Sequence, residues 1–360
     1  MLDKTIIIFN PSVEGGGVEK NMFIISNYLC CKINNVKLIS SNYQKNKFSN
    51  KLKIINSKIF QPESRLGRYL VCIPLLIKEI IKNKNVIVFS FQANLYATII
   101  CFLLRIPIVI RANSSPTSWA NNSIKRFVYK IFYKYPKKII VNSYDFKKQM
   151  KSILNLNSIC IYNPLNKNFI KRQARKKNSL NFYKKTNLKI ISIGRLTDQK
   201  NHILILKALK KIKNQVDFKL IILGQGENKN KLIDFINNNH LKKNVKIINY
   251  RKNPYSYLLK ANLFVLSSVY EGLPNVLLEA MVLKKFIISS NCPTGPSEIL
   301  RNGKYGLLYN SNQTLDLSRK IIFFYKNRNF CKKKTVQAYN ALDRFDLNKN
   351  LDKYLKVLKF

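Results

Sequence analysis

The chain has 360 residues, of which 65 are Lys or Arg and 17 are Asp or Glu, giving a formal net charge of +48. That length suits two α/β domains of about 170 residues each. Seven cysteines without a C-x-x-C pair, and two histidines 38 residues apart, exclude a disulfide scaffold or a zinc site and read as reduced core thiols of a cytoplasmic protein.

The chain opens on Met1-Leu2-Asp3-Lys4 and a short apolar Thr5-Ile6-Ile7-Ile8-Phe9, which does not have the form of a signal peptide. The longest apolar run, Leu95 to Leu104, stops at Arg105, short of the about 18 residues a membrane span needs. The expectation is a soluble protein, or a peripheral one at the inner face of the cell membrane. Two readings of the charge stand. Lys, Asn and Ile are abundant together, as an AT-rich coding sequence would produce; alternatively the charge attracts an anionic lipid surface or a diphosphate-bearing substrate. The lysines are spread along the chain with no recognisable binding module, which argues against a nucleic-acid partner.

Residues 1–165 alternate short apolar strands with amphipathic segments. Thr5 to Asn10, Val36 to Ile39, Lys53 to Ile55, Val86 to Ser90, Ile106 to Ala112, Lys138 to Asn142 and Ser158 to Tyr162 read as strands. Val18 to Cys31, Tyr69 to Lys82, Ala93 to Leu104, Ile124 to Tyr135 and Tyr144 to Leu154 read as helices between them. That is a doubly wound α/β domain. Residues 166–188 break the alternation, with eight Lys or Arg between Lys167 and Lys185 and no acid, and read as a basic interdomain linker. The alternation restarts over 189–343, with strands at Lys189 to Gly194, Phe218 to Leu223, Val245 to Asn249, Leu263 to Ser268 and Phe286 to Ser290. Residues 344–360 are a last helical segment.

The densest chemistry lies in Tyr270-Glu271-Gly272-Leu273-Pro274-Asn275-Val276-Leu277-Leu278-Glu279-Ala280-Met281. It joins the apolar strand Leu263 to Ser268 to a helix in which Pro274 suits the first position. Three of only eight glutamates, Glu271, Glu279 and Glu298, fall within 28 residues here. Glu271 then sits in the turn and Glu279 about a turn and a half into the helix, at the sheet edge where open parallel sheets bind ligands and where exposed helix amides favour an anion. The plain alternative is a helix-capping Glu271 and a solvated Glu279.

This Glu-x7-Glu pattern, followed by Ile287-Ile288-Ser289-Ser290 and Cys292-Pro293-Thr294-Gly295-Pro296-Ser297-Glu298-Ile299-Leu300, resembles the family 4 glycosyltransferases. The resemblance implies a GT-B fold: two Rossmann-like doubly wound domains facing a cleft, with a C-terminal helix returning to the first domain through Arg344-Phe345-Asp346. It spans nearly the whole chain and is most specific from Lys189 to Leu308. Ile193-Gly194-Arg195-Leu196-Thr197-Asp198-Gln199-Lys200-Asn201-His202 resembles the family's Gly-Arg-Leu-x-x-x-Lys-Asn, and Gly224-Gln225-Gly226-Glu227 its glycine turn beside the nucleotide. Asn249-Tyr250-Arg251-Lys252-Asn253-Pro254 corresponds to the loop around the base. Gly15-Gly16-Gly17-Val18-Glu19-Lys20 matches its Gly-Gly-x-Glu segment and lacks the spacing of a dinucleotide fingerprint.

The resemblance implies a retaining hexosyltransferase that uses a nucleotide sugar, with UDP as the expected nucleotide, and needs no cofactor. Arg195 and Lys200 would meet the diphosphate, Glu271 the transferred sugar and Glu279 the ribose. Gly16, Gly17, Gly194, Gly224, Arg251, Gly272, Leu273 and Asn275 would complete the donor site, and Arg111 and Asn113 are acceptor-side candidates. The acceptor would be a saccharide or lipid-linked saccharide in surface-glycan assembly. No Asp-x-Asp occurs among the nine aspartates, so a metal-independent reaction is expected. No histidine precedes His202, so a mechanism needing one in the first domain is excluded. Rival readings are an inverting GT-B enzyme, a sugar-nucleotide epimerase of similar architecture, and a non-enzymatic basic protein that binds nucleic acid or membrane. Lys125 to Lys151 carries nine Lys or Arg against Asp145, interleaved with Phe127, Tyr129, Ile131, Phe132 and Tyr133. It is either an interfacial segment or an ordinary helix with its apolar side on the sheet.

Overall fold

The computed structural model describes residues 4–13, 16–41, 49–57, 62, 64–83, 85–120, 122–178, 181–184 and 186–359. Met1 to Asp3, Gly15 of the glycine run, and Ser179, Leu180 and Lys185 of the basic segment lie outside the described residues. The chain divides into two units, Met1–Pro164 with Phe345–Phe360, and Leu165–Arg344.

The first unit runs β1 (Thr5–Phe9), α1 (Gly17–Lys32), β2 (Val36–Ile39), β3 (Lys53–Ile55), α2 (Arg65–Ile81), β4 (Val86–Ser90), α3 (Asn94–Leu103), β5 (Ile108–Arg111), α4 (Pro116–Trp119), α5 (Ser123–Phe132), β6 (Lys138–Val141), α6 (Tyr144–Leu154) and β7 (Ile159–Cys160). Its strands pair in parallel in the order β3-β2-β1-β4-β5-β6-β7. β1 and β4 are buried at every position, because both faces of the sheet are covered. Cys72, Leu76, Cys101, Phe146 and Met150 from α2, α3 and α6 close one face over Ile7, Val88 and Ile110. Met22, Ile25 and Leu29 of α1 close the other over Ile6, Ile8 and Phe89, together with Leu351, Tyr354 and Leu358 from the end of the chain. α2 begins at Arg65, four residues before the expected Tyr69, because the Ser64 hydroxyl accepts from the Gly67 N–H at 3.1 Å and caps an extra turn.

The second unit runs α7 (Lys167–Ala174), β8 (Leu188–Ile193), α8 (His202–Ile212), β9 (Phe218–Leu223), α9 (Lys229–Asn238), β10 (Val245–Ile248), α10 (Tyr255–Lys260), β11 (Leu263–Leu266), α11 (Asn275–Val282), β12 (Phe286–Ser290), α12 (Pro296–Ile299), β13 (Leu307–Tyr309), α13 (Thr314–Lys326) and α14 (Arg328–Asn340). The sheet is again parallel, ordered β10-β9-β8-β11-β12-β13, so the strand order reverses between β8 and β11. A reversal point is where such sheets hold ligands.

Two local readings change. The basic stretch 166–188 holds α7 rather than only a connection. The Asn166 side chain caps it by accepting from the Phe169 N–H at 2.9 Å, Ile170 and Ala174 are buried, and the Phe169 ring meets Tyr255 edge-on at 6.3 Å. A short apolar stripe inside a run of cations is easily read as linker. Pro274 is the residue before α11 and not its first: its ψ of 105° is extended and its carbonyl accepts from the Leu277 N–H at 3.1 Å. After Arg344, whose guanidinium donates to the Glu298 and Ile299 carbonyls at 2.9 and 2.7 Å, the chain rejoins the first unit. Phe345 is buried against Tyr162, and the Asp346 carboxylate caps α15 (Leu347–Val357) by accepting from the Lys349 N–H at 2.9 Å.

Candidate active site

The carboxyl ends of β8 and β11 bring the two most specific motifs together. Lys200 Nζ donates to Glu271 Oε1, with the two side chains only 16% and 8% exposed. Ser268 Oγ donates to that same oxygen at 2.6 Å. Gln199 ties the loops: its Nε2 donates to the Tyr270 carbonyl at 3.0 Å, its Oε1 accepts from Arg195 Nη2 at 3.2 Å, and its carbonyl accepts from the Val269 N–H at 2.8 Å. Ser267 Oγ closes the contact on the Lys200 carbonyl at 2.7 Å. Arg195 itself stays exposed.

The loop after β12 holds the same turn from the other side. Thr294 Oγ1 donates to the Glu271 carbonyl, and the Glu271 N–H reaches the Pro293 carbonyl at 3.4 Å. Gly295 has φ 83°, and a Cβ there would collide with the Gly272 carbonyl, so only glycine lets this loop approach so closely. Burial first, and then the Glu271 charge, push the Cys292 thiol up to about 12, which leaves it inert. Glu279 is buried on α11, and Tyr255 Oη donates to its Oε1 at 3.4 Å. Gly272 and Leu273 are buried, Asn275 is half-buried, and Arg251 is exposed after β10.

Gly194 and Gly224 end β8 and β9, and a Cβ on Gly224 would overlap the Gly194 carbonyl. The Leu196 N–H donates to the Gln225 carbonyl at 2.9 Å and locks the two turns together. His202 begins α8 fully within this framework. Its Nδ1 has no hydrogen-bond partner among the described residues, and burial, with Lys200 nearby, pushes its pKa from 6.5 down to about 3. It is therefore neutral in the folded chain and protonates in the unfolded one, so its stability contribution is complete above pH 6.5 and is lost as pH falls toward 3. Urea unfolding at pH 7 and pH 4 should show the native chain losing roughly 3 kcal/mol more than His202→Gln over that interval. Equal losses would show that this histidine does not titrate between the two states.

In the first unit, Gly16 precedes α1 and Gly17 is its first residue. Beside them Glu19 accepts from Gln92 Nε2 at 3.2 Å, and the Ser12 N–H donates to Gln92 Oε1 at 3.1 Å. Arg111 requires a correction. It is fully buried, with Nε donating to Tyr354 Oη at 2.9 Å, Nη2 to Asn163 Oδ1 at 2.6 Å and Nη1 to Asn113 Oδ1. The returning α15 uses it as a structural cation, and no guanidinium face is left for an acceptor. Asn113 also donates to the Phe91 carbonyl at 2.6 Å, which places it in the same support.

Reading the motifs alone overlooked Ser268, Gln199, Thr294 and Tyr255. Thr294 and Gln199 lie inside the motifs, but nothing in the spacing assigns their side chains a partner. Ser268 and Tyr255 are ordinary residues whose role needs the fold.

Residues 172–344 match the family described as glycosyl transferases group 1. An uncharacterized glycosyltransferase of Methanocaldococcus jannaschii is 37% identical over 215 residues, covering 54% of this chain and 52% of that protein. An α-1,4-N-acetyl-D-galactosaminyltransferase of Campylobacter jejuni, whose name gives a PP-undecaprenol-linked saccharide, is 24% identical over 369 residues, covering 96% of each chain. The chain spans about half the length of the first curated relatives it matches. Among solved structures, HepE of Anabaena in complex with UDP-glucose aligns with a TM-score of 0.82 at 17% identity, covering 99% of each chain. Residues 172–344 are thus similar to the group 1 glycosyl transferases, and the two parallel Rossmann-like sheets have the GT-B fold of the solved neighbours.

Proposed function

We propose that the protein is a retaining, metal-independent family 4 glycosyltransferase that moves a hexose or N-acetylhexosamine from a UDP-sugar to a lipid-linked saccharide in cell-surface glycan assembly. The observation that carries the reading is the Lys200–Glu271 contact with Arg195 beside it, which sets two cations and a carboxylate at the reversal point of the second sheet. As the bond from sugar to phosphate breaks, negative charge grows on the diphosphate, and Arg195 and Lys200 bind that charge more tightly than the ground state. Glu271 holds hydroxyls of the transferred sugar and Glu279 the ribose hydroxyls. A donor phosphate oxygen takes the acceptor proton during attack on the same face. Gly16 and Gly17 are candidate donor contacts at the start of α1, Gly194, Gly224, Gly272, Leu273 and Asn275 shape the donor site, and Arg251 lies beside the base. A lipid-linked acceptor brings the enzyme to the inner face of a membrane. The names of relatives that act on undecaprenol-linked saccharides, and a structural neighbour holding UDP-glucose, support these choices.

The test is a screen of nucleotide sugars for UDP release with and without an extract of lipid-linked acceptors. Release should rise with one UDP-sugar only when the extract is present, and the linkage of the product should retain the anomeric configuration of the donor. Inverted product, or no release with any nucleotide sugar, would overturn the reading.

A further inference from the structure

The helical layer α2–α6 of the first unit is unlike its other face. Among the described residues, every large apolar side chain this unit leaves exposed lies on that layer, and none lies on α1 or α15. The sharpest case is α5. Ile124, Phe127 and Ile131 are 76%, 65% and 48% exposed, at positions i, i+3 and i+7, which share one side of a helix. The inward side is filled by others: Tyr133 is buried, and the Tyr129 ring packs on Trp119 at 4.3 Å. Thus Tyr129, Phe132 and Tyr133, grouped with the aromatic residues of an interfacial segment in the sequence reading, belong mostly to the fold, while a separate apolar stripe faces out. The end of α3 adjoins it, since Phe102 meets Phe132 edge-on at 6.4 Å, and Leu103 beside it is 71% exposed.

Charge selects the occupant of this surface. Lys125 and Lys130 flank the stripe on opposite sides and are exposed, as are Arg105 and Lys134, and no Asp or Glu occurs between Glu79 and Asp145. A second copy of the same face would bring cations against cations. A soluble acidic protein would match the charge but would not favour so sparse an apolar ridge over the polar surface around it. An apolar ridge rimmed by lysines is the arrangement that lies in the headgroup region of an anionic bilayer, with the ridge among the acyl chains and the ammonium groups at the phosphates.

We infer that α5, with the end of α3, inserts into the surface of an anionic membrane and docks the protein there as a monotopic enzyme. The inference rests on the reading above for why a membrane is visited, and it adds the surface that meets it.

The test is co-sedimentation of the full chain with vesicles of phosphatidylglycerol and phosphatidylcholine, and with phosphatidylcholine alone, across a salt series. Binding should require phosphatidylglycerol and fall with salt. Replacing Ile124, Phe127 and Ile131 together by Ser should lower partitioning roughly tenfold or more, and Lys125→Glu with Lys130→Glu roughly 30-fold or more. Phe127→Leu should bind nearly as the native chain does. These side chains face solvent, so thermal unfolding and UDP binding should not change. If the serine variant binds as tightly as the native chain, adsorption is electrostatic only and the inserted ridge is refuted. Equal binding to neutral vesicles, or a dimer dissolved by the serine variant without vesicle binding, overturns it as well. None of these readouts involves sugar transfer, so their failure leaves the proposed chemistry standing, and failure of the UDP-release screen leaves the docking surface standing.

Discussion

Arg195→Ala is expected to lower kcat/KM about 100-fold, close to 2.7 kcal/mol of transition-state stabilisation, without changing stability. A cation about 4 Å from a developing phosphate charge at an effective dielectric near 20 is worth roughly 4 kcal/mol before solvation is discounted, so the loss is in range. Arg195 is exposed and its side chain donates to Gln199, which the turn retains through Tyr270. Lys200→Ala should lose a similar factor for the same reason. Judged by sequence, both variants keep the fold intact; the ion pair changes that for Lys200. Removing it leaves Glu271 buried with its charge uncompensated except by Ser268, and that should cost about 3 kcal/mol of stability. Combining Lys200→Ala with Glu271→Gln removes the orphaned charge and should recover much of the stability while leaving turnover low. Near-normal turnover in both single variants would sink the assignment of the diphosphate site. A fully stable Lys200→Ala would instead show that the pair is not formed in solution.

The second large effect separates the two carboxylates. Glu271→Gln should lower kcat about 100-fold with a small change in UDP affinity, since its proposed contact is with the transferred sugar, a contact that matters most as the sugar departs. Glu279→Gln should weaken UDP binding about tenfold and leave kcat at saturating donor within a few-fold, because a ribose contact is made equally in ground and transition states. Calorimetric titration of UDP beside steady-state kinetics reads both. Reversed losses would show that the carboxylate roles are exchanged. Glu271→Gln also releases Lys200 from its partner, and a titration at two salt concentrations would show whether freed Lys200 tightens UDP binding.

The cluster at the reversal point of the second sheet was legible in the sequence because it is built from short contiguous motifs. Each couples a strand end to a helix start, and the glycines, Arg195, Lys200, Glu271 and Glu279 occupy positions whose spacing along the chain fixes where they stand on those turns. The surroundings of Arg111 were not legible in this way. Arg111 ends a strand at the right edge, as expected of an acceptor contact, yet its guanidinium is consumed by Tyr354, Asn113 and Asn163. No local pattern announces a bond between residues 243 positions apart. The same limit hid Tyr255, 24 positions from Glu279, whereas Ser268 reaches Glu271 within one turn, through a backbone shape that no residue there announces.

What the sequence by itself determined is the alternation of strand and helix, the restart that yields two α/β units, and the residues at the turns, since apolar periodicity and turn chemistry are properties of neighbours along the chain. What only the tertiary structure decided is how the charges are used. Lys200 is spent partly on Glu271, Arg111 is a buried support for the returning helix, and α7 is a packed element inside a basic run. On α5 the same few residues divide into an inward aromatic side and an outward apolar ridge. A charge or a methyl group has no fixed worth in the sequence, because its energy depends on the water it loses and the partner it gains, and folding decides both.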